Sequence, residues 1–344
     1  ATASLSDLMK EHPEHRAEAR QDLHLLNAQK MGEHEAEIEK IKNVLRVIFY
    51  PLVLIRRKIF VYLCEYYRKR DLKKLASLLY YNISHKKINW SSPKNLNEKI
   101  NWLKFNSDTS VWTKLADKYL VRDYVKERGL SSILVELYGV WDDACDIDFN
   151  LLPTSFVLKT NHGCGTIIVV KNKNSINEDE VRKQLNTWLQ LKFGTIYAEP
   201  HYNSIKPKII AEEYLKNDNA NSTSLVDYKV FCLEGKPYSI LVCADRVLYK
   251  GCCLAWYDLE WNPKPDMLSG GHKQDCVTIE KPTCLSDMLQ AAEILSKGHH
   301  QVRIDFYITN GKLYFGEMTF TSLGGYMSYI APKYLDEMGS LIHL

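Results

Sequence analysis

The stretch that most constrains the fold is VRIDFYITNGKLYFGEMT, Val302 to Thr319. Two runs of β-branched and aromatic residues flank Asn310-Gly311, a dipeptide suited to a tight hairpin because both positions accept positive φ. The runs carry Arg303, Asp305 and Glu317 among apolar neighbours. A charge in a half-buried strand is costly unless an opposite charge meets it. Register therefore decides what the hairpin can do. A two-residue turn carried evenly through both strands sets Asp305 opposite Gly316 and sends Glu317 to the other face. A three-residue Thr309-Asn310-Gly311 loop with a bulge shifts the register by one. Arg303 then faces Glu317, and Arg303, Asp305, Glu317 and Thr319 share a face, with Val302, Ile304, Phe306 and Ile308 on the opposite one. The second register is the expectation, because it separates charge from core. Carboxylate oxygens held in a rigid pair suit Mg²⁺ carrying nucleotide phosphates. A surface hairpin whose acids are satisfied by Arg303 and Lys312 is the competing reading.

The 344 residues, 45% hydrophobic and 25% charged, suffice for two or three subdomains of a soluble globular protein. A net charge of +3 argues against a dedicated nucleic-acid binder. The nine cysteines include no CxxC pair, so reduced thiols in a reducing cytosol are expected rather than a zinc ribbon or a disulfide framework. His272, Cys276 and Cys284 are the one grouping that can be forced into a metal site. The chain opens at Ala1 with no secretory signal, and its start is expected to be trimmed.

Residues 1–43 read as a polar helical extension and 44–90 as a basic amphipathic helical segment. From Ile38 an apolar spacing of three and four runs through Ile41, Leu45, Ile48, Leu52, Ile55, Ile59 and Tyr62, interrupted in its backbone by Pro51. Between Lys40 and Lys74, eleven Lys and Arg stand against two acids, Glu65 and Asp71, a local net of +9. The apolar run is too short to span a bilayer, and Arg56-Arg57-Lys58 breaks it. A basic, aromatic helix of this kind suits the anionic inner leaflet of a membrane. A helical hairpin that packs on the main domain or dimerises accounts for the same stripe.

Further along, a Pro93 loop precedes a helix over Leu96 to Phe105. Lys114 to Glu127 reads as one amphipathic helix ended by Gly129, with Lys114, Lys118 and Arg122 on one face. FVLKTNHGCG (156–165) is a strand entering a glycine turn, followed by a second strand from Thr166. Strand–turn–strand excludes a P-loop, yet such a turn can lay backbone N–H groups over phosphates. Val181 to Phe193 is predicted helical, with Leu185, Trp188, Leu189 and Leu191 inward. Lys208 to Leu215 is a buried strand ending in Glu212 and Glu213. Val226 to Arg246 is a hairpin turning at 234–236, with Asp227 and Lys229 on one face. The Trp-, Pro- and Gly-rich stretch 256–271 is the expected acceptor-side loop. Leu285 to Lys297 is a helix beneath the opening hairpin, and Thr321 to Gly325 a flexible turn.

This order of elements resembles the ATP-grasp superfamily and, more narrowly, the TupA-like ATP-grasp family of bacterial polysaccharide-locus proteins. The pieces that carry the resemblance are LNEKINWLK (96–104), KLADKYLVRDYV (114–125), YGVWDD (138–143), FVLKTNHGCG (156–165), EEYL (212–215), DYKVFCLEGKP (227–237), RIDFY (303–307) and YFGEMTF (314–320). The resemblance implies an α+β ATP-grasp fold, two α/β subdomains gripping ATP, in a catalytic domain over 91–344 with a lid at about 154–208. It implies that Lys159 contacts the phosphates under a lid turn containing His162, Gly163 and Gly165. Glu212, Glu213 and the backbone near Leu215 hold adenosine, and Lys118 completes the nucleotide site. Lys229 and Arg246 hold phosphate or an acyl phosphate, with Arg303 in the same catalytic set. Asp305 and Glu317 bind Mg²⁺; Thr319 stands where superfamily members usually place Asn.

The implied chemistry is an ATP-dependent carboxylate–amine ligation. The expected substrates are an amino acid or amine and a uronic-acid-type sugar of a bacterial surface polysaccharide or its lipid-linked precursor. A phosphotransferase, a glycosyltransferase or a non-catalytic membrane-associated scaffold are the alternatives. The expected setting is the cytoplasm, peripheral on the inner membrane face through residues 40–74, with homo-oligomerisation open and no nucleic-acid partner.

Overall fold

A computed structural model of the chain describes residues 50–247, 251–269 and 278–344. The chain divides into two compact units, 1–63 and 64–344, a boundary inside the segment 44–90 that the sequence sets apart. In the first unit residues 50–63 are helical, Pro51 included. Among the described residues no helix is long and apolar enough to cross a membrane.

The second unit opens on the helical residues 64–68, followed by helices α1 (Leu72–Ser84) and α2 (Leu96–Asn106). Each starts where a side chain can accept an otherwise unpaired N–H: Asp71 from Lys74 and Asn95 from Glu98. The single helix predicted over 114–127 is two, α3 (Ser110–Ala116) and α4 (Val121–Glu127). The break has a local cause. Asp117 is extended, and its carboxylate accepts the N–H groups of Tyr119 and Leu120 at 2.8 and 3.2 Å. A short acidic side chain thus competes with the helix for its own backbone. In consequence Lys114 is exposed and Arg122 buried, so the three cations do not share a face.

Two antiparallel sheets follow. The smaller, ordered β1-β4-β2-β3, contains β1 (Leu137–Trp141), β2 (Phe156–Thr160), β3 (Ile167–Val170) and β4 (Ile209–Glu213). Helix α5 (Glu178–Leu189) covers one face, burying Val181 and Leu185 against Phe156, Leu158, Ile209 and Ala211. Because α5 ends at Leu189, Leu191 is exposed rather than inward.

The larger sheet, ordered β7-β6-β5-β8-β9, contains β5 (Asp227–Leu233), β6 (Lys236–Val247), β7 (Gly251–Tyr257), β8 (Gln301–Thr309) and β9 (Lys312–Thr319). One face buries Val230, Ile240, Val302, Ile304 and Phe306 under helix α6 (Leu285–Ser296), as the alternation in the opening hairpin predicts. The other face is apolar at one end, where Phe231, Leu241 and Trp256 meet α2 and helix α7 (Pro332–Ser340). Its other end carries the charged residues. Trp256, Tyr257 and Trp261 are core residues, the last two stacked at 4.2 Å. They therefore build the sheet's packing rather than an acceptor-side loop. Residues 270–271 of that stretch, together with His272 and Cys276, lie outside the described residues.

The β8–β9 register differs from the expected one in its origin. The turn has two residues, Asn310 and Gly311, both at positive φ, and Thr309 pairs with Lys312. The shift lies inside the strands: Phe306 pairs with Phe315, but Asp305 pairs with Glu317 and Arg303 with Thr319. Gly316 is the extra residue of the bulge. The charged face is the predicted one, with different opposite partners. A Cβ on Gly316 would sit 2.9 Å from the Asp305 carbonyl oxygen and 3.0 Å from the Tyr307 ring. Gly316→Ala is therefore expected to destabilise the protein by about 1–3 kcal/mol, the usual cost of overpacking. A lower urea midpoint measures it; an unchanged midpoint would mean the bulge has room for a methyl group.

Candidate active site

The bulge aligns a row of charges across three strands. Lys229 on β5 is directly opposite Asp305 on β8, which is opposite Glu317 on β9. The Lys229 ammonium lies against Asp305 and 2.6 Å from Asp227. Arg303 grips Asp305 with a fork, Nε to Oδ1 at 2.6 Å and Nη2 to Oδ2 at 2.7 Å, and reaches Glu317 at 3.3 Å and the Thr319 hydroxyl at 3.1 Å. Thr319 in turn donates to Glu317 at 3.2 Å. Arg246, inside β6, donates to Asp227 at 2.9 Å. Asp305 is 1% exposed and Lys229 8%. Charges this deep persist only because each meets opposite charge at hydrogen-bond distance.

The electrostatics follow from that crowding. Burial opposes ionisation of Glu317, but Lys118, Arg303 and Lys229 outweigh it and hold its carboxyl at about 2, down from 4.5. Burial and Arg303 both disfavour the Lys229 ammonium, yet Asp227 and Asp305 prevail and raise its pKa. For Asp227 burial wins, and its carboxyl is pushed up despite Lys229 and Arg246.

Lys118 links the two sheets. Placed by the break at Asp117, it lies 3.4 Å from Glu317 and donates to the carbonyl of Gly163 in the glycine turn. That turn is locked by Asn161, which is fully buried. Its amide donates to Asp117 at 2.9 Å and to the Lys206 carbonyl at 3.1 Å, and it accepts the Lys208 N–H at 2.7 Å. Gly163 is required by close approach, since a Cβ there would meet the Phe193 ring at 2.7 Å, and Gly165 by its φ of +76°. His162 is buried with Nε2 3.2 Å from the Leu191 carbonyl, and burial lowers its pKa. Lys159 reaches Glu212 at 2.5 Å on the face of the small sheet away from α5. Glu212 is also held by Arg122 at 3.2 Å. Glu213 is half-buried beside it, and Leu215 packs with Val135 and Tyr314.

Several supporting residues escaped the sequence reading. Asp227 and Arg122 were visible as charges but carried no assigned role. The third omission is a buried polar stripe on α2: Asn97, Asn101 and Lys104. Asn97 bonds both the N–H and the carbonyl of Met327, at 3.1 and 3.2 Å. Asn101 donates to the Gly325 carbonyl at 2.9 Å and Lys104 to that of Gly324 at 2.8 Å. The expected flexible turn at 321–325 is thus pinned, with Ser322, Gly324 and Gly325 buried and Ser322 accepting from Arg303 at 3.2 Å. The signal was available, because buried Asn, Asn and Lys at i, i+4 and i+7 lie on one helix face.

Among the described residues no three His, Cys, Asp or Glu side chains converge as a ready metal site. Asp305 and Glu317 still fit Mg²⁺, which takes one or two carboxylates and fills its octahedron with water and phosphate oxygens. In the free protein their oxygens are held by Arg303, Lys229 and Lys118, with which Mg²⁺ would have to exchange, and the Thr319 hydroxyl lies beside Glu317.

Two outcomes are expected. Glu317 has a depressed pKa, so the stability it contributes is complete above about pH 4.5 and is lost as pH falls through about 2. Glu317→Gln should flatten the acid limb of a pH–stability curve in that window, by up to about 3 kcal/mol; an unchanged limb would mean its cations do not depress it. Lys229→Met leaves Asp227 and Asp305 under-compensated and should cost about 3–5 kcal/mol in denaturant unfolding. A loss below about 1 kcal/mol would mean Arg303 and Arg246 neutralise both acids alone.

The sequence profile of the TupA-like ATP-grasp family matches residues 98–343, well over half of the chain. No curated protein matches the sequence. Among solved structures, the chain is similar to a D-alanine–D-alanine ligase from Bacillus anthracis complexed with ATP, at 14% identity over 60% of this chain and 54% of that one, with a TM-score of 0.35. It is similar to the ATP-grasp ligase PsnB complexed with minimal precursor, Mg and ADP, at 9% identity over 66% and 58% of the two chains, TM-score 0.33. A D-alanine–D-alanine ligase from Helicobacter pylori matches at 14% identity over 72% and 69%, TM-score 0.38. The chain spans less than two thirds of the length of the first two. On its sequence, the chain belongs to the TupA-like ATP-grasp family.

Proposed function

We propose that this protein is an ATP-dependent carboxylate–amine ligase. It forms an amide through an acyl phosphate, joining an amino acid or amine to a uronic-acid-type sugar of a bacterial surface polysaccharide or its lipid-linked precursor. The observation that carries the reading is the charge row Lys229–Asp305–Glu317 with Arg303 across it. Family membership supports an ATP-dependent ligase; the acid, the amine and the sugar are part of the proposal.

Such chemistry needs no protein nucleophile, only positioning and charge neutralisation. ATP supplies the phosphoryl group that activates a carboxylate, and Mg²⁺ held by Asp305, Glu317 and the Thr319 hydroxyl supplies charge neutralisation. Lys159 and the backbone of Gly163 and Gly165 would hold the phosphates, and Glu212 and Glu213 would accept from adenosine. Lys118 couples the glycine turn to Glu317, so the two sheets orient together. Lys229, Arg246 and Arg303 neutralise charge that develops on transferred phosphate. Each of these cations is ion-paired with an acid, so phosphate binding exchanges one charged partner for another.

A metal-dependent glycosyltransferase would set paired aspartates at its metal. The one such string, Asp146-Ile147-Asp148, has both acids exposed at short surface turns, where Asp148 accepts the Asn150 N–H. That observation favours the ligase over the glycosyltransferase.

Mg²⁺ with ATP should raise the melting temperature of the wild type by mass action. The variant Asp305→Asn/Glu317→Gln should show no such rise, and rises of equal size would refute the assigned site. Product analysis with ATP, candidate uronic acids and amines should then yield ADP and an amide. ADP with a phosphoester would make the protein a phosphotransferase, and sugar transfer without ATP consumption a glycosyltransferase.

A further inference from the structure

We propose that the helical residues 50–63 are a docking surface for an anionic membrane, independently of the nucleotide site. At about 100° per residue, Leu52, Ile55, Ile59 and Tyr62 fall in one sector about 80° wide. They are 58, 53, 53 and 67% exposed. Three large aliphatic side chains on this face are each more than half in solvent, and Val53 and Val61, 59 and 52% exposed, extend the apolar surface beyond it. Arg56 and Lys58 lie about 40° beyond its two edges, and Arg57 on the far side. An apolar stripe bordered on both sides by cations is the pattern of a helix lying in the headgroup region. The stripe enters the acyl boundary, and the long basic side chains extend along it to the phosphates.

The occupant is decided by charge. Residues 50–63 carry Arg56, Arg57 and Lys58 and no acid. A second copy laid along this stripe would bring an equal positive charge alongside the first, whereas an anionic surface is attracted by each Lys and Arg near it. Among the described residues no helix is long and apolar enough to cross a membrane, and Arg56-Arg57-Lys58 interrupts the apolar run. The docked surface would hold the enzyme at the plane where a lipid-linked acceptor is presented.

The test is flotation of the full chain with two kinds of vesicle: phosphatidylethanolamine with phosphatidylglycerol, and phosphatidylcholine alone. The chain should float with the first and stay behind with the second, and added salt should weaken binding. Arg56→Gln/Arg57→Gln/Lys58→Gln should bind the anionic vesicles on the order of 100-fold more weakly. Ile55→Glu/Ile59→Glu should abolish flotation. All five positions are exposed, so both variants should keep the wild-type denaturation midpoint. Failure of the wild type to float overturns the proposal, as does flotation of either variant equal to that of the wild type. So does concentration-dependent self-association that Ile55→Glu/Ile59→Glu removes, which would make a second copy the occupant. Mg²⁺–ATP stabilisation of the same samples reads the nucleotide site separately, so the two proposals can fail independently.

Discussion

Asp227, Asp305 and Glu317 share the polar end of one sheet face with Lys229, Arg246 and Arg303, and each of its buried charges meets an opposite one. A carboxylate that is 1% exposed, as Asp305 is, would otherwise cost several kcal/mol to keep ionised. Mutual neutralisation removes that cost only at hydrogen-bond geometry, so the strands must hold the six side chains to within fractions of an ångström. The register of β5, β8 and β9 is accordingly the constraint on which the rest of the molecule turns. It is set on one side by the apolar alternation that buries Val302, Ile304 and Phe306 under α6, and on the other by the bulge at Gly316. Without the bulge, Glu317 would fall on the core face among those residues, with no cation to meet it.

The remaining elements stabilise this row from its edges. The α2 stripe fixes the backbone of 324–327 and thereby the Ser322 hydroxyl that Arg303 contacts. Burial lowers Lys104 to about 7 and raises nearby Glu199 to about 7, so this support is itself built from costly groups. Polar contacts here do what apolar packing cannot: they specify which carbonyl sits where, and so the direction in which the turn leaves Thr319. On the other side Lys118, freed from helical geometry by Asp117, touches both the glycine turn and Glu317. On the proposed function, stability and chemistry use the same contacts. The cations that make the acids bearable in the free protein are the ones a phosphate would recruit.

The sequence by itself determined the elements that depend on local pattern. Alternation in 302–308, Asn-Gly at 310–311, the strand–glycine–strand of 156–170 and the apolar spacing of 285–296 each reappear as strand, turn or helix where the residues imply. The order of those pieces was enough to indicate the ATP-grasp family. The common face of Arg303, Asp305, Glu317 and Thr319 was also legible, because separating charge from core admits few registers. Tertiary structure decided what no local rule can weigh. Gly316, rather than the turn, takes up the extra residue, since only there does the partner strand approach closely enough to exclude a side chain. Asp117, whose local bonds break a periodic helix, is in turn held by the amide of Asn161, 44 positions away. Arg122 on α4 acquires Glu212 on β4 by tertiary contact, and Lys229 acquires Asp305 through the pairing of β5 with β8. Periodicity records which face a residue takes, while a charge's partner depends on long-range contacts that leave no trace in the spacing of its neighbours.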